Sequence, residues 1–166
     1  MTAIFSRADA EDLLYREAAC LDEGAWDDWL ALYTEDAVFW APAWRDEETP
    51  TADPDSELSL IYYDGRRGLE DRVFRARSGQ SVASRPRPRC MHAIGNVRLI
   101  GQAGDTAEVA STFTVHLHDV RADRTHHFFG RYRHALRHEG GAWRIARKQI
   151  LLLNDVIPTV IDFYSI

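Results

Sequence analysis

Cys90 and His92 stand two residues apart, the Cys-x-His spacing that supplies half of the ligand set of a Rieske iron–sulfur centre. The other half is missing. Cys20, the second cysteine of the chain, has no histidine at that spacing, so the pair reads as a buried thiol with a strand histidine nearby. If a tight connection joins the strands that carry them, His116 falls opposite or near His127, with His118 on the same face. Three imidazoles there are enough to bind a transition metal. A metal centre also needs groups that orient its ligands, and exposed sheet faces commonly carry histidine, so a solvated or subunit-contacting face is the better reading. His126 and His127 are adjacent and point to opposite faces of a strand. Asp36, His92 and Tyr33 are the candidates for acid–base work in a pocket. Each also fits a plainer role as a cap, a paired strand residue or a core aromatic. Gly-rich phosphate loops, a Gly-x-Ser-x-Gly elbow and a Cys-x-x-Cys pair do not occur.

The elements that would position these residues follow from hydrophobic spacing. Ser6 with Asp9 three places on forms a capping box, and Ala10, Leu13, Leu14, Ala18 and Leu21 recur at helical spacing. Gly24 ends that helix. Trp26, Trp29, Leu30 and Tyr33 then predict a short second helix with an aromatic face. Ala37 to Ala41 reads as a strand stopped by Pro42, and Arg45 to Asp55 as an acidic, solvated loop broken by Pro50 and Pro54. Leu58 to Tyr63 predicts another strand, and Leu69, Val73 and Ala76 a helix after Gly68. Ser78 to Arg89 alternates Pro86 and Pro88 with Arg85, Arg87 and Arg89, which favours an extended connection.

From there the period becomes two. Cys90 to Ile100, Thr106 to Val120, Thr125 to Arg137 and Ala142 to Leu153 predict four long strands in an antiparallel meander. In the second, Ala107, Val109, Phe113, Val115 and Leu117 share the core face. Helices first and a long sheet afterwards define an α+β domain in which a curved sheet wraps the N-terminal helices. The tail from Val156 to Ile166 is too apolar to hang free and is expected to dock on this domain or on another chain.

Composition narrows the functions. The 166 residues suit one domain over 1–166 with a core that needs no disulfide. A net charge of -6 argues against nucleic acid or anionic membrane as partner. Two unpatterned cysteines fit reduced thiols in the cytoplasm. Met1 to Arg7 lacks the apolar stretch of a leader, and no segment approaches a membrane span, so a soluble intracellular protein is expected. Arg85, Arg87 and Arg89 fit a solvated loop or a contact with an acidic partner. Arg66, Arg67, Glu70, Asp71, Arg72, Arg75 and Arg77 are dense enough for an interface rim, although part of the pattern is helix support.

Taken together, the stretches Asp53 to Arg75, Pro88 to Val97 and Gly141 to Ile150 leading to Asn154 and Asp155 resemble the beta subunits of aromatic-ring-hydroxylating dioxygenases. Leu14 to Glu17, Trp26 to Trp29 and Phe39 to Trp44 add to the likeness, which spans nearly the whole chain and points to the branch acting on benzoate, toluate or anthranilate. The resemblance implies an α+β cone of the nuclear-transport-factor-2-like type and a hexamer of three large (alpha) and three small (beta) subunits. It also implies that the large subunit holds a Rieske [2Fe–2S] cluster and mononuclear non-haem Fe(II), takes electrons from NADH through a reductase, and forms a cis-diol on the ring. No catalytic residue, cofactor or metal is then expected in this chain. One departure is Cys90, where a small polar residue such as Thr is expected before Met91 and His92. As residues contacting neighbouring subunits we expect Tyr63, Arg66, Asp71, Arg72 and Arg75 on one segment. Arg89 at the end of the proline-rich connection, His92 on the first long strand, and Phe163 and Tyr164 in the tail complete the set. The alternatives are a stand-alone lyase or isomerase, or a small-ligand binding protein, using the pocket of the same fold.

Overall fold

Helix α1, Arg7–Glu23, starts at the capping box read from the sequence: the Ser6 hydroxyl accepts from the Asp9 amide, and the Asp9 carboxylate accepts from the Ser6 amide at 2.8 Å. It stops at Gly24, whose left-handed φ of 73° a side chain would resist. The computed structural model describes residues 4–166. Met1, Thr2 and Ala3, the start of the segment expected to lack a leader, lie outside them. Ala10, Leu13, Leu14, Ala18 and Leu21 are buried as their spacing requires, and Glu17 is buried among them.

Helix α2, Trp26–Ala31, is shorter than expected because Tyr33 belongs to the next element, strand β1, Tyr33–Pro42. Strand β2, Ser59–Asp64, pairs antiparallel with β1, and helix α3, Arg66–Ser78, begins two residues before Gly68 rather than after it. Tyr63 explains the glycine at 68: a Cβ there would come within 2.7 Å of the Tyr63 ring. The following connection is not wholly extended, since Val82–Ser84 makes a single 3₁₀ turn.

The long strands are β3 (Arg89–Ala103), β4 (Thr106–Asp119), β5 (Arg124–Glu139) and β6 (Ala142–Leu152), joined as a meander. All six strands form one sheet in the order β2-β1-β6-β5-β4-β3. Its one parallel pairing, β1 on β6, closes the early strands onto the end of the meander. The inward parity of β4 is the predicted one: Ala107, Val109, Phe113, Val115 and Leu117 are buried in a core shared with the helices.

The tail docks on its own chain. Phe163 stacks on Trp29 with ring centroids 4.9 Å apart and meets Trp26 edge-on. The Arg72 guanidinium donates to Asp162 at 2.7 Å, and the Tyr164 and Ser84 hydroxyls share a hydrogen bond of 2.9 Å. The tail thus fastens α2, α3 and the 3₁₀ turn into one layer.

Candidate functional site

Three side chains that the fold turns inward converge on one carboxylate. Glu17 projects from the apolar face of α1, His134 from β5, Lys148 from β6 and Tyr33 from the start of β1. Lys148 Nζ donates to Glu17 Oε1 at 2.9 Å, the Tyr33 hydroxyl donates to the same oxygen at 2.5 Å, and His134 Nε2 donates to Oε2 at 3.3 Å. The whole cluster is sealed from solvent. Burial alone would raise the Glu17 carboxyl, yet the Lys148 charge and the hydrogen bonds from His134 and Tyr33 hold it well below the ordinary carboxylate range. Burial, with the Glu17 charge beside it, pushes Tyr33 well above the usual phenol value. Lys148 also lies over the Tyr132 ring, 4.3 Å from its centroid.

Burial pushes His134 below the ordinary imidazole value of about 6.5, outweighing the pull of Glu17. A group with a lowered folded pKa contributes stability above its unfolded value and loses that contribution as pH falls through the folded one. The denaturation midpoint is therefore expected to drop between about pH 7.5 and about pH 5.5, and to drop less in His134→Gln, as paired urea titrations would show.

A second interior pair links α1 to β3. His92 Nδ1 lies 2.5 Å from Asp22 Oδ1, its backbone amide donates to Asp22 Oδ2 at 2.9 Å, and its side chain is 1% exposed. Cys90, also inward, has its thiol pushed up to about 12, by burial first and by the Asp22 charge second, which keeps it protonated. Among the described residues no group of three His, Cys, Asp or Glu side chains is arranged to hold a metal ion. Cys20 and Cys90 are both free thiols. A Rieske cluster needs two cysteines and two histidines that converge on it, and among the described residues no such group forms around Cys90 and His92.

The proposed acid–base trio does not converge. Tyr33 belongs to the Glu17 cluster and His92 to Asp22, while Asp36 stands outside the cone against Arg137 at 2.5 Å. His116 and His127 do face each other across β4 and β5, their rings edge to face with centroids 4.6 Å apart, and His118 stands beside Thr125.

The residues expected at subunit contacts divide into two groups. Asp71, Arg75 and Arg89 are exposed, and Tyr63 is half-buried beneath α3. Arg66 ties Glu70 and Glu35, and Arg72 is engaged by Asp162 of the tail. His92, Phe163 and Tyr164 lie inside this chain's own core and are not presented outward. Phe74, inside the expected contact segment but not singled out by spacing, is 64% exposed on the outer side of α3 beside Asp71 and Arg75. The signal was there: an aromatic one position off the Leu69–Val73–Ala76 stripe.

The family described as the ring hydroxylating beta subunit matches residues 16–159. The chain is 40% identical to the small subunit of 2-halobenzoate 1,2-dioxygenase of Burkholderia cepacia, over 97% of this chain and 96% of that one. It is 38% identical to the beta subunit of benzoate 1,2-dioxygenase of Acinetobacter baylyi, over 99% and 98% of the two chains. The crystal structure of the benzoate 1,2-dioxygenase beta subunit of Burkholderia mallei superposes with a TM-score of 0.82 at 38% identity, covering 99% of both chains.

Proposed function

This chain belongs to the ring hydroxylating beta subunit family, and from that premise we propose that it is the small, non-catalytic subunit of a dioxygenase acting on an aromatic carboxylate such as benzoate or anthranilate. The observation that carries the reading is end-to-end likeness to small subunits of benzoate-type dioxygenases, with almost nothing of this chain or of theirs left over. The interior agrees with a scaffold: its carboxylates and imidazoles engage each other, Glu17 with three donors and Asp22 with His92. Nothing among these relatives supports the lyase, isomerase or ligand-binding alternatives.

In this reading the oxygenase is a cytoplasmic hexamer of three large and three small subunits. The large subunit supplies the chemistry, through a Rieske cluster and mononuclear non-haem iron fed from NADH by a reductase. This chain's part is to hold the large subunits in place. Phe74, with Asp71 and Arg75 around it, has the make-up of an interface anchor, an exposed aromatic inside a charged rim. Phe74→Ala is expected to leave the fold intact and to weaken retention of the large subunit by about tenfold or more in a salt-washed pull-down.

Reconstitution tests the function. With large subunit, reductase, NADH and benzoate present, cis-diol formation is expected to depend on this chain, whereas the chain alone turns over nothing. Full diol formation by the other components without this chain would end the proposal.

A further inference from the structure

The chain carries 26 acidic and 20 basic residues, yet one surface runs against that balance. On the outer side of the sheet, Arg98 of β3 and Arg131 and Arg133 of β5 surround a depression of about 350 Å³, with Asn96, Thr112 and Gln149. The register explains the shape. Ala110 stands between Arg98 and Arg133, and Thr112 beside Arg131, so short β4 side chains form a floor between longer ones. All three arginines are exposed, and none of their guanidinium groups makes a hydrogen bond or ion pair among the described residues. Arg45, Arg66, Arg72, Arg77 and Arg137, by contrast, each meet a carboxylate. Three like charges gathered on one sheet face repel one another until an anionic surface covers them.

A complementary surface exists on the same chain. The loop between β1 and β2 carries Glu47, Glu48 and Asp55, all exposed, and their carboxylates make no hydrogen bond or ion pair among the described residues. The loop is held in one shape by its own hydrogen bonds. Asp46 Oδ1 accepts from the amides of Glu48 and Thr49, Glu57 accepts from Ala52 and Asp53, and the Thr51 hydroxyl donates to Leu58. A stiff acidic projection loses little freedom on docking. Both surfaces also carry apolar area: Leu58, 80% exposed, follows the loop, and Phe129, 44% exposed, adjoins Arg131 on the sheet face.

We propose that the arginine-lined depression on the outer sheet of one copy receives the acidic β1–β2 loop of a second copy of this chain. The proposal rests on the reading above, in which several copies sit side by side in one oxygenase. Charge selects the mode. Two sheet faces repel each other, so a symmetric face-to-face dimer is disfavoured, whereas face against loop joins unlike patches head to tail. Such a contact closes into a ring when the rotation permits, and three copies make the smallest ring.

The test uses exposed residues only, on the full chain in its complex. Arg131→Glu with Arg133→Glu, and separately Glu47→Lys with Glu48→Lys and Asp55→Lys, are each expected to weaken association between copies by roughly tenfold or more. Sedimentation of the chain alone and native mass of the complex read this, with circular dichroism unchanged. All five changes in one chain restore the attraction with its sign reversed, and association is expected to return. Normal assembly of either variant set, or failure of the fivefold variant to recover, would overturn the proposal. Wild-type chain that binds large subunit while the charge variants assemble normally would sink this contact and spare the subunit reading. Wild-type chain that self-associates through these charges but never binds a large subunit would do the reverse.

Discussion

Replacing Lys148 by methionine is expected to lower the stability of the protein by about 3–5 kcal/mol, because it strands the Glu17 carboxylate in the core without the ammonium that pairs with it. For a domain whose total stability is on the order of 5–15 kcal/mol that is a large share, and at roughly 2–4 °C per kcal/mol it lowers Tm by about 6–20 °C. The diagnostic lies in the double change. Glu17→Leu together with Lys148→Met leaves no buried charge, so its loss is expected to fall well short of the sum of the two single losses. Additive losses in thermal or urea melts would show that the two charges do not depend on each other.

Removing the tail is expected to have the second large effect. Phe163→Ala empties a space bounded by Trp26 and Trp29, a truncation that costs about 3–5 kcal/mol in a packed core. Ending the chain after Asp155 also removes the Asp162–Arg72 pair and the Tyr164–Ser84 bond, which fasten α3 and the 3₁₀ turn. Tryptophan fluorescence reports this directly, since Trp26 and Trp29 form the surface beneath the tail. A truncated chain with native emission and an unchanged midpoint would mean that the tail is not part of the core.

Most of the fold was legible because it is written in local signals. The Ser6–Asp9 box, the stop at Gly24 and the alternation from Cys90 onwards each act within a few residues. The extent of α2 was misjudged because Tyr33 continues the helical spacing of Trp26 and Trp29, but its ring is needed on β1 to reach Glu17. The parallel pairing of β1 with β6 has no local signal, since it joins segments more than a hundred residues apart in sequence.

The interior cluster was missed for the same reason and could have been found. Glu17 sits 117 residues from His134 and 131 from Lys148, so no motif connects them. Each nonetheless breaks a pattern. Glu17 falls on the stripe of Leu13, Leu14 and Leu21, His134 is in phase with Tyr132 and Leu136, and Lys148 is in phase with Ile150 and Leu152. Ionisable groups on apolar faces need partners there, and three from separate elements are natural partners for one another. His92 follows the same rule, in phase with Cys90 and Ile94 and answered by Asp22.

The role of the chain as a supporting subunit is tested most directly by its company in the cell. Purified through a small tag from its native host, the complex is expected to contain a larger subunit in equal number, to be brown, and to carry iron that stays with the larger subunit on separation. A colourless, iron-free protein of this chain alone, from cells that are hydroxylating an aromatic carboxylate, would contradict the account.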